Sequence, residues 1–344
     1  MAGINWEEFR LEIDGFHAIE PCFEFVLYLE TSRDDGLLEF YERARAALGP
    51  LITHYQTDGM RRPRKLDERA DTIVPTWVKR PRPGKIYWID FSGCGDDEGV
   101  TPASLELSFF HRRPDYLSPE VVAERKAILQ RRLEQGGVVL SPAAMVLRVT
   151  FPVEAEIADP AAALNWILDL KLVGSHPFLS GHAGYALNYY IGATDPVRVP
   201  MEKTLCSLLL RYPGLDYHSL GGVSNHMFRY DADKADFVPL IKRVSWLNLV
   251  SDGTIEHLGG HDALVQGLGT DLPISVHELQ YGLAIQAGVE PQLGDVAGRD
   301  FIPEYRRVAK TLRPVRLEAF PGEGRYFSHE DAEEWLNAFD KEYD

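Results

Sequence analysis

The stretch "CFEFVLYLETSRDDGLLEFYERARAALGP", residues 22–50, decides the fold. Its first nine residues are rich in aromatic and apolar side chains, a composition that predicts a buried strand. Residues 35–49 then place Leu37, Leu38, Tyr41, Ala44 and Leu48 at helical spacing. Gly49-Pro50 stops that helix. A buried strand feeding an amphipathic helix is one unit of a layered α and β domain.

Further strand and helix signals follow in alternation. "KIYWIDFSG" (85–93) and "SLELSFFHRR" (104–113) are strand candidates, with the acidic, Gly-rich "GCGDDEG" (93–99) as a hairpin loop between them. "RRPRKLDERADTIVPTWVKRPRPGK" (61–85), rich in Pro and basic residues, reads as a long surface excursion. "SPEVVAERKAILQRRLEQGG" (118–137) predicts a charged helix with Ser118 as N-cap and Pro119 at the first helical position. A second cycle begins with strand "MVLRVTFPV" (145–153), helix "DPAAALNWILDLKLVG" (159–174) and strand "GYALNYYIG" (184–192). "MEKTLCSLLLRYPG" (201–214) predicts a helix ended by Pro213-Gly214, and "RVSWLNLVSDGTIEHLGG" (243–260) a hairpin turning at Asp252-Gly253. Residues 276–288 read as one strand, 304–314 as a short helix leading into strand 315–320, and 328–344 as a final helix capped by Ser328.

The expectation is an α+β fold with mixed or antiparallel sheets carrying helices on one face. It is built either as one large domain or as two similar subdomains, 20–140 and 141–290. Residues 1–20 form an N-terminal extension on this reading, and 291–344 a C-terminal extension of helix and strand.

Composition bounds the chemistry. The 344 residues are 45% apolar and 26% charged, enough to bury a substantial core. With 36 basic and 52 acidic residues the net charge is −16. That balance argues against a direct nucleic-acid binder, whose contact face needs Lys and Arg, and disfavours an anionic membrane surface. It favours a basic partner. Three cysteines, Cys22, Cys94 and Cys206, without CxxC spacing exclude a disulfide framework and a thiolate zinc site. The N-terminus carries no signal-peptide pattern and no apolar run reaches membrane-span length, so a cytoplasmic protein is expected.

Four groups of residues are candidates for function. His257 and His261 stand at metal-ligand spacing, but Gly259-Gly260 between them predicts a turn, and no metal is assigned. Asp96, Asp97 and Glu98 would repel phosphate and could meet a basic partner. Glu330, Asp331, Glu333, Glu334 and Trp335 are the same kind of candidate. The competing reading there is an acidic helix with Trp335, Leu336 and Phe339 buried. Asp216, His218, Asn225 and His226, in "RYPGLDYHSLGGVSNHMFRY" (211–230), would line the pocket of a hydrolase-type enzyme. The alternative for that segment is a helix exit and two turns made from residues that bond their own backbone.

"HAGYALNYY", "RYPGLDY", "VSNHMF" and "IKRVSWLNLVSDGTIEHLGG", in this order, resemble the immunity-protein family of bacterial type VI secretion. That family gives immunity to nuclease effectors of the VRR-NUC type. The resemblance spans roughly residues 20–290. It implies a chain that binds a cognate secreted toxin, a nuclease with a basic surface, without catalytic residues or a cofactor. An adaptor of the secretion machinery is the third class considered.

Overall fold

In the computed structural model, the described residues are 4–31, 34–82, 85–95, 97–110, isolated positions between 120 and 131, 144–190, 195–217, 226–231, 236–317 and 327–341. The strands are β1 (Leu11–Ile13), β2 (Phe16–Leu29), β3 (His54–Thr57), β4 (Arg64–Lys65), β5 (Ile86–Ser92), β6 (Ser104–Phe110) and β7 (Met145–Pro152). They continue with β8 (Ser180–Tyr189), β9 (Asp216–Tyr217), β10 (Phe228–Asp231), β11 (Asp236–Pro239), β12 (Leu247–Ser251), β13 (Ile274–Leu279) and β14 (Gly282–Ala287). The helices are α1 (Asp34–Leu48), α2 (Ala70–Lys79), α3 (Pro160–Leu168), α4 (Lys171–Gly174) and α5 (Asp195–Arg211). After them come α6 (Asp252–His257), α7 (His261–Leu268), α8 (Pro303–Leu312) and α9 (His329–Leu336). The class is α+β, as expected.

Among the described residues a 12-stranded sheet runs in the order β13-β14-β12-β8-β2-β7-β6-β5-β3-β4, with β1 beside β2 and β9 beside β8. Every pairing is antiparallel except β8 with β9. The two strand–helix cycles interleave, because β2 lies between β7 and β8.

β2 is buried on both faces, which is why apolar residues fill both sides of its second half apart from Glu24. Its Phe23, Phe25, Leu27 and Leu29 enter the main core, where they meet Phe40, Tyr41 and Ala44 of α1, Val74 and Val78 of α2, and Ile167 of α3. Trp166 sets its edge against Phe25, Phe40 and Phe151. Each such ring contributes about 1.5–3 kcal/mol by leaving water. The other face carries Cys22, Glu24, Val26 and Tyr28, of which Val26 and Tyr28 pack on Val146, Leu179 and Met227.

Several local expectations are corrected. The supposed surface excursion 61–85 holds β4 and α2, with Ala70, Val74 and Val78 buried at helical spacing despite Pro75. Helix 159–174 starts as expected, Asp159 accepting from the Ala161 and Ala162 amides at 3.0 and 3.1 Å. It then breaks at Asp169-Leu170, where Arg43 donates to the carbonyls of Asp169 and Trp166 and replaces the helical donors. Asp252-Gly253 opens α6 instead of a hairpin, with Ser251 in extended conformation before it. The strand expected over 276–288 is a hairpin of β13 and β14. In the expected strand 315–320, Arg316 forms only an isolated bridge with Ile241, and 318–320 lie outside the described residues. The helix over 118–137 lies mostly outside them too.

Gly214 follows the exit of α5, but its glycine is required by proximity. A Cβ there would stand 1.9 Å from the Gln292 carbonyl oxygen, beside the bond from the Gly214 amide to the Leu293 carbonyl at 2.7 Å. Gly214→Ala is expected to cost about 1–3 kcal/mol, because backbone must move to admit the methyl group. Thermal unfolding of the variant checks this, and an unchanged midpoint would show that the segments part easily.

Candidate functional site

The sheet face opposite the main core is polar because β5 and β6 alternate strictly. Tyr87, Ile89, Phe91, Leu105 and Leu107 point into the core, leaving Trp88, Asp90, Ser92, Ser104 and Glu106 on the other side. One register row across that face runs Gln56, Asp90, Glu106, Arg148, Val26, His182 and Asn248. The neighbouring row brings Ser92, Ser104, Thr150 and Glu24 together.

At the centre of the sheet the face closes over a charged network. Arg148, 7% exposed, donates to Glu24 Oε2 and to Asn188 Oδ1, and its Nη1 to Ser104 Oγ at 3.4 Å. Asp216 Oδ1 accepts from Lys242 Nζ at 2.6 Å and from the Tyr217 amide at 2.6 Å. Between the two carboxylates stands His182, its Nε2 3.1 Å from Asp216 Oδ2 and 3.5 Å from Glu24 Oε1. Both contacts are close enough for charge attraction, although their angles fall short of directed hydrogen bonds. Arg243, next to Lys242, donates to the carbonyls of Leu215 and Pro213, and its guanidinium lies 4.1 Å from the Trp335 ring centroid.

Glu24, His182 and Asp216 also form the one trio of potential metal ligands among the described residues, their donor atoms within 4.8 Å of one another. Charge decides against a metal reading. The two carboxylates already face two cations, Arg148 and Lys242, so a divalent ion would leave the buried site strongly positive. The trio is an ion-pair network with His182 as its bridge.

The network has a pH signature. Burial alone would raise Glu24, but Arg148 and His182 more than offset it, so its carboxyl falls to about 2. Burial likewise opposes ionisation of Asp216, and Lys242 and His182 hold it well below the usual carboxylate range. Carboxylates depressed in the folded state contribute stability above their unfolded values near 4 and lose it as pH falls. His182 works in the opposite sense: burial lowers it, yet Asp216 and Glu24 prevail and raise it. Its contribution is full below about 6.5 and lost as pH rises through the raised value. Chemical denaturation should therefore show a loss on the order of 2–3 kcal/mol between about pH 5 and 2. Glu24→Gln should flatten that slope, and an equal slope in the variant would remove Glu24 from the account.

Toward β5 and β3 the same face opens into a cleft of about 480 Å³. Gln56, Asp90, Ser104, Glu106 and Arg148 lie within it, with Trp88 and Tyr190 at its sides. Asp90 and Glu106 are direct cross-strand partners, and Glu106 Oε1 accepts from Trp88 Nε1 at 2.8 Å. Burial first, then the Glu106 carboxylate, pushes Asp90 up to about 7 against the opposing pull of Arg148.

The residues singled out from the sequence are distributed as follows. Asp97 and Glu98 are exposed, on a loop whose Gly95 and Gly99 line the cleft. The loop is pinned by bonds from the His17 amide to the Glu98 carbonyl and from the Val100 amide to the His17 carbonyl. Asp96 lies outside the described residues. Glu330, Glu333 and Glu334 are exposed on α9, Glu334 accepting from Lys341 Nζ. Asp331 completes a capping box with Ser328. Trp335 is corrected: it is fully buried, donates to the Leu215 carbonyl at 3.1 Å and meets the Tyr217 ring at a tilt with centroids 4.9 Å apart, so it anchors α9 and cannot be a surface contact.

His218 and Asn225 lie outside the described residues. Asp216 is buried in the network, away from the cleft; it lies in strand β9, and besides Lys242 and His182 it meets the amide of its neighbour Tyr217. His226 is half-buried and does not line the cleft either. His257 and His261 flank a turn at Gly259 and Gly260, with φ of 91° and 92°. His257 Nδ1 meets the Gly253 carbonyl and His261 Nε2 meets Glu278.

Sequence reasoning missed the network and the cleft. Their signals were single charges inside apolar strands, Glu24 in "FEFVL" and Arg148 in "VLRVT".

A family model described as "TsiV: Type VI immunity for VRR-NUC" matches residues 128–339. Among solved structures, the "Pseudomonas aeruginosa T6SS protein PA0821" superposes with a TM-score of 0.71, covering 96% of this chain and 87% of that one. The identity between them is 16%, so the likeness is one of fold. No curated protein matches the chain.

Proposed function

The chain belongs to the family of type VI immunity proteins for VRR-NUC, and on that premise we propose that it acts in the cytoplasm by binding a cognate VRR-NUC nuclease and occluding it. The match of residues 128–339, which takes in β7 through α9, carries this reading. The structure supports it in two ways. The broad antiparallel sheet is fixed by a buried ion-pair network, giving a rigid surface that is pre-organised for binding. The net charge of −16 suits a partner whose own face must hold phosphate. Occlusion needs no turnover, and the inward-facing Asp216 takes support from the enzyme alternative. Asp97, Glu98, Glu330, Glu333 and Glu334 are the exposed acids that we place toward the nuclease.

The reading is tested by association kinetics with the VRR-NUC effector made by the same bacterium. Raising salt from about 50 to 300 mM should slow association tenfold or so while changing dissociation far less, since exposed charges steer encounter and are screened beyond roughly a Debye length. Equal effects on both rates would remove steering from the account, and no complex at any salt would remove the function.

A further inference from the structure

The open cleft holds a carboxylate that no side chain among the described residues bonds. Asp90 sits on its floor directly across from Glu106. Glu106 is held by the Trp88 indole at 2.8 Å. Arg148, next in the row, is committed to Glu24, Asn188 and Ser104. Among the described residues no side chain donates a hydrogen bond to Asp90, and no Lys or Arg pairs with it. Two neighbouring carboxylates face each other across the strands in a part-buried hollow that Arg61 also lines, with Arg148 engaged elsewhere, and their mutual repulsion is an arrangement that folding leaves unfavourable.

We propose that this cleft is the receptor for one basic side chain, Arg or Lys, presented by the nuclease. The inference rests on the reading above and deepens it by locating the contact. A cation entering the cleft meets Asp90 and Glu106 together and relieves their repulsion. The stem behind the charge passes Trp88 and Tyr190, aromatic lining residues whose apolar surface suits its methylenes. A cleft of about 480 Å³ that stays open to solvent admits a side chain on a protruding segment. The acidic loop carrying Asp97 and Glu98 stands at its rim and extends the negative field outward.

The test compares the wild-type chain, Asp90→Asn and the double variant Asp90→Asn/Glu106→Gln in binding the VRR-NUC effector of the same bacterium. Asp90 faces the Glu106 carboxylate across the strands and accepts no side-chain hydrogen bond among the described residues, so Asp90→Asn should melt at or above the wild-type temperature, and the double variant, in which the Glu106→Gln side chain can still accept from Trp88, should remain folded. Affinity should fall about thirtyfold or more for Asp90→Asn, chiefly through faster dissociation. Wild-type affinity in both folded variants would overturn the cleft inference and leave the proposed function standing. Failure of the wild-type chain to bind the effector would overturn both. As a second readout, the Trp88 indole NMR signal should shift on complex formation. A matching shift caused by millimolar MgCl2 alone would assign the cleft to a metal ion and overturn the inference.

Discussion

Arg148→Met is expected to remove about 3–5 kcal/mol of folding free energy, the cost of stripping the partner from a buried charge. Glu24 is 1% exposed and would keep only the weaker attractions of His182 and Lys242. Asn188 Oδ1 and Ser104 Oγ would each lose a donor as well. Urea denaturation measures the effect. The double variant Arg148→Met/Glu24→Leu should recover much of the loss, because no bare charge is left behind and apolar residues of similar volume often replace buried ion pairs at little cost. A single-variant loss below about 1 kcal/mol, on the scale of a surface pair, would mean that water reaches Glu24 and that the network does not fix the sheet.

Trp335→Ala should be nearly as damaging, at about 3–5 kcal/mol. The indole is fully buried, touches Tyr217 and Phe327, covers the Arg243 guanidinium and donates to the Leu215 carbonyl. Its removal opens a cavity and exposes the Leu215 carbonyl and Arg243 to loss of partners at once. The charge-reversed variant Glu330→Lys/Glu333→Lys, on the exposed side of the same helix, should instead leave stability within about 0.5 kcal/mol. A Trp335→Ala chain of unchanged stability would show that the indole does not anchor α9.

Glu24 and Arg148 also show where reading the sequence stops. Each lies in a strand that its apolar residues mark, and one charge does not alter that pattern. Their meaning appears only when register places Glu24 opposite Thr150 and Arg148 opposite Glu106, since pairing brings together residues 124 apart in the chain. Local signals fared better. Asp159-Pro160 and Ser328 mark helix starts because capping is settled within a few residues. The failures are cases where tertiary contact overrides local preference. Arg43 splits the helix after Leu168, and β14 takes the place beside β12 that the Asp252-Gly253 turn was expected to give to residues just after it. The cleft was half visible. "GCGDDEG" drew attention as an acidic loop, but the carboxylates beneath it, Asp90 and Glu106, became a site only once β5 and β6 were paired.

The most direct measurement is a titration of the nuclease against the chain. Purified VRR-NUC effector, held well above the dissociation constant, is mixed with increasing chain, and cleavage of DNA is followed. Occlusion predicts that cleavage falls linearly and ends at a fixed molar ratio, with the chain and effector recovered intact as one complex. Cleavage abolished by catalytic amounts of chain, with the effector altered afterwards, would contradict the account and identify an enzyme.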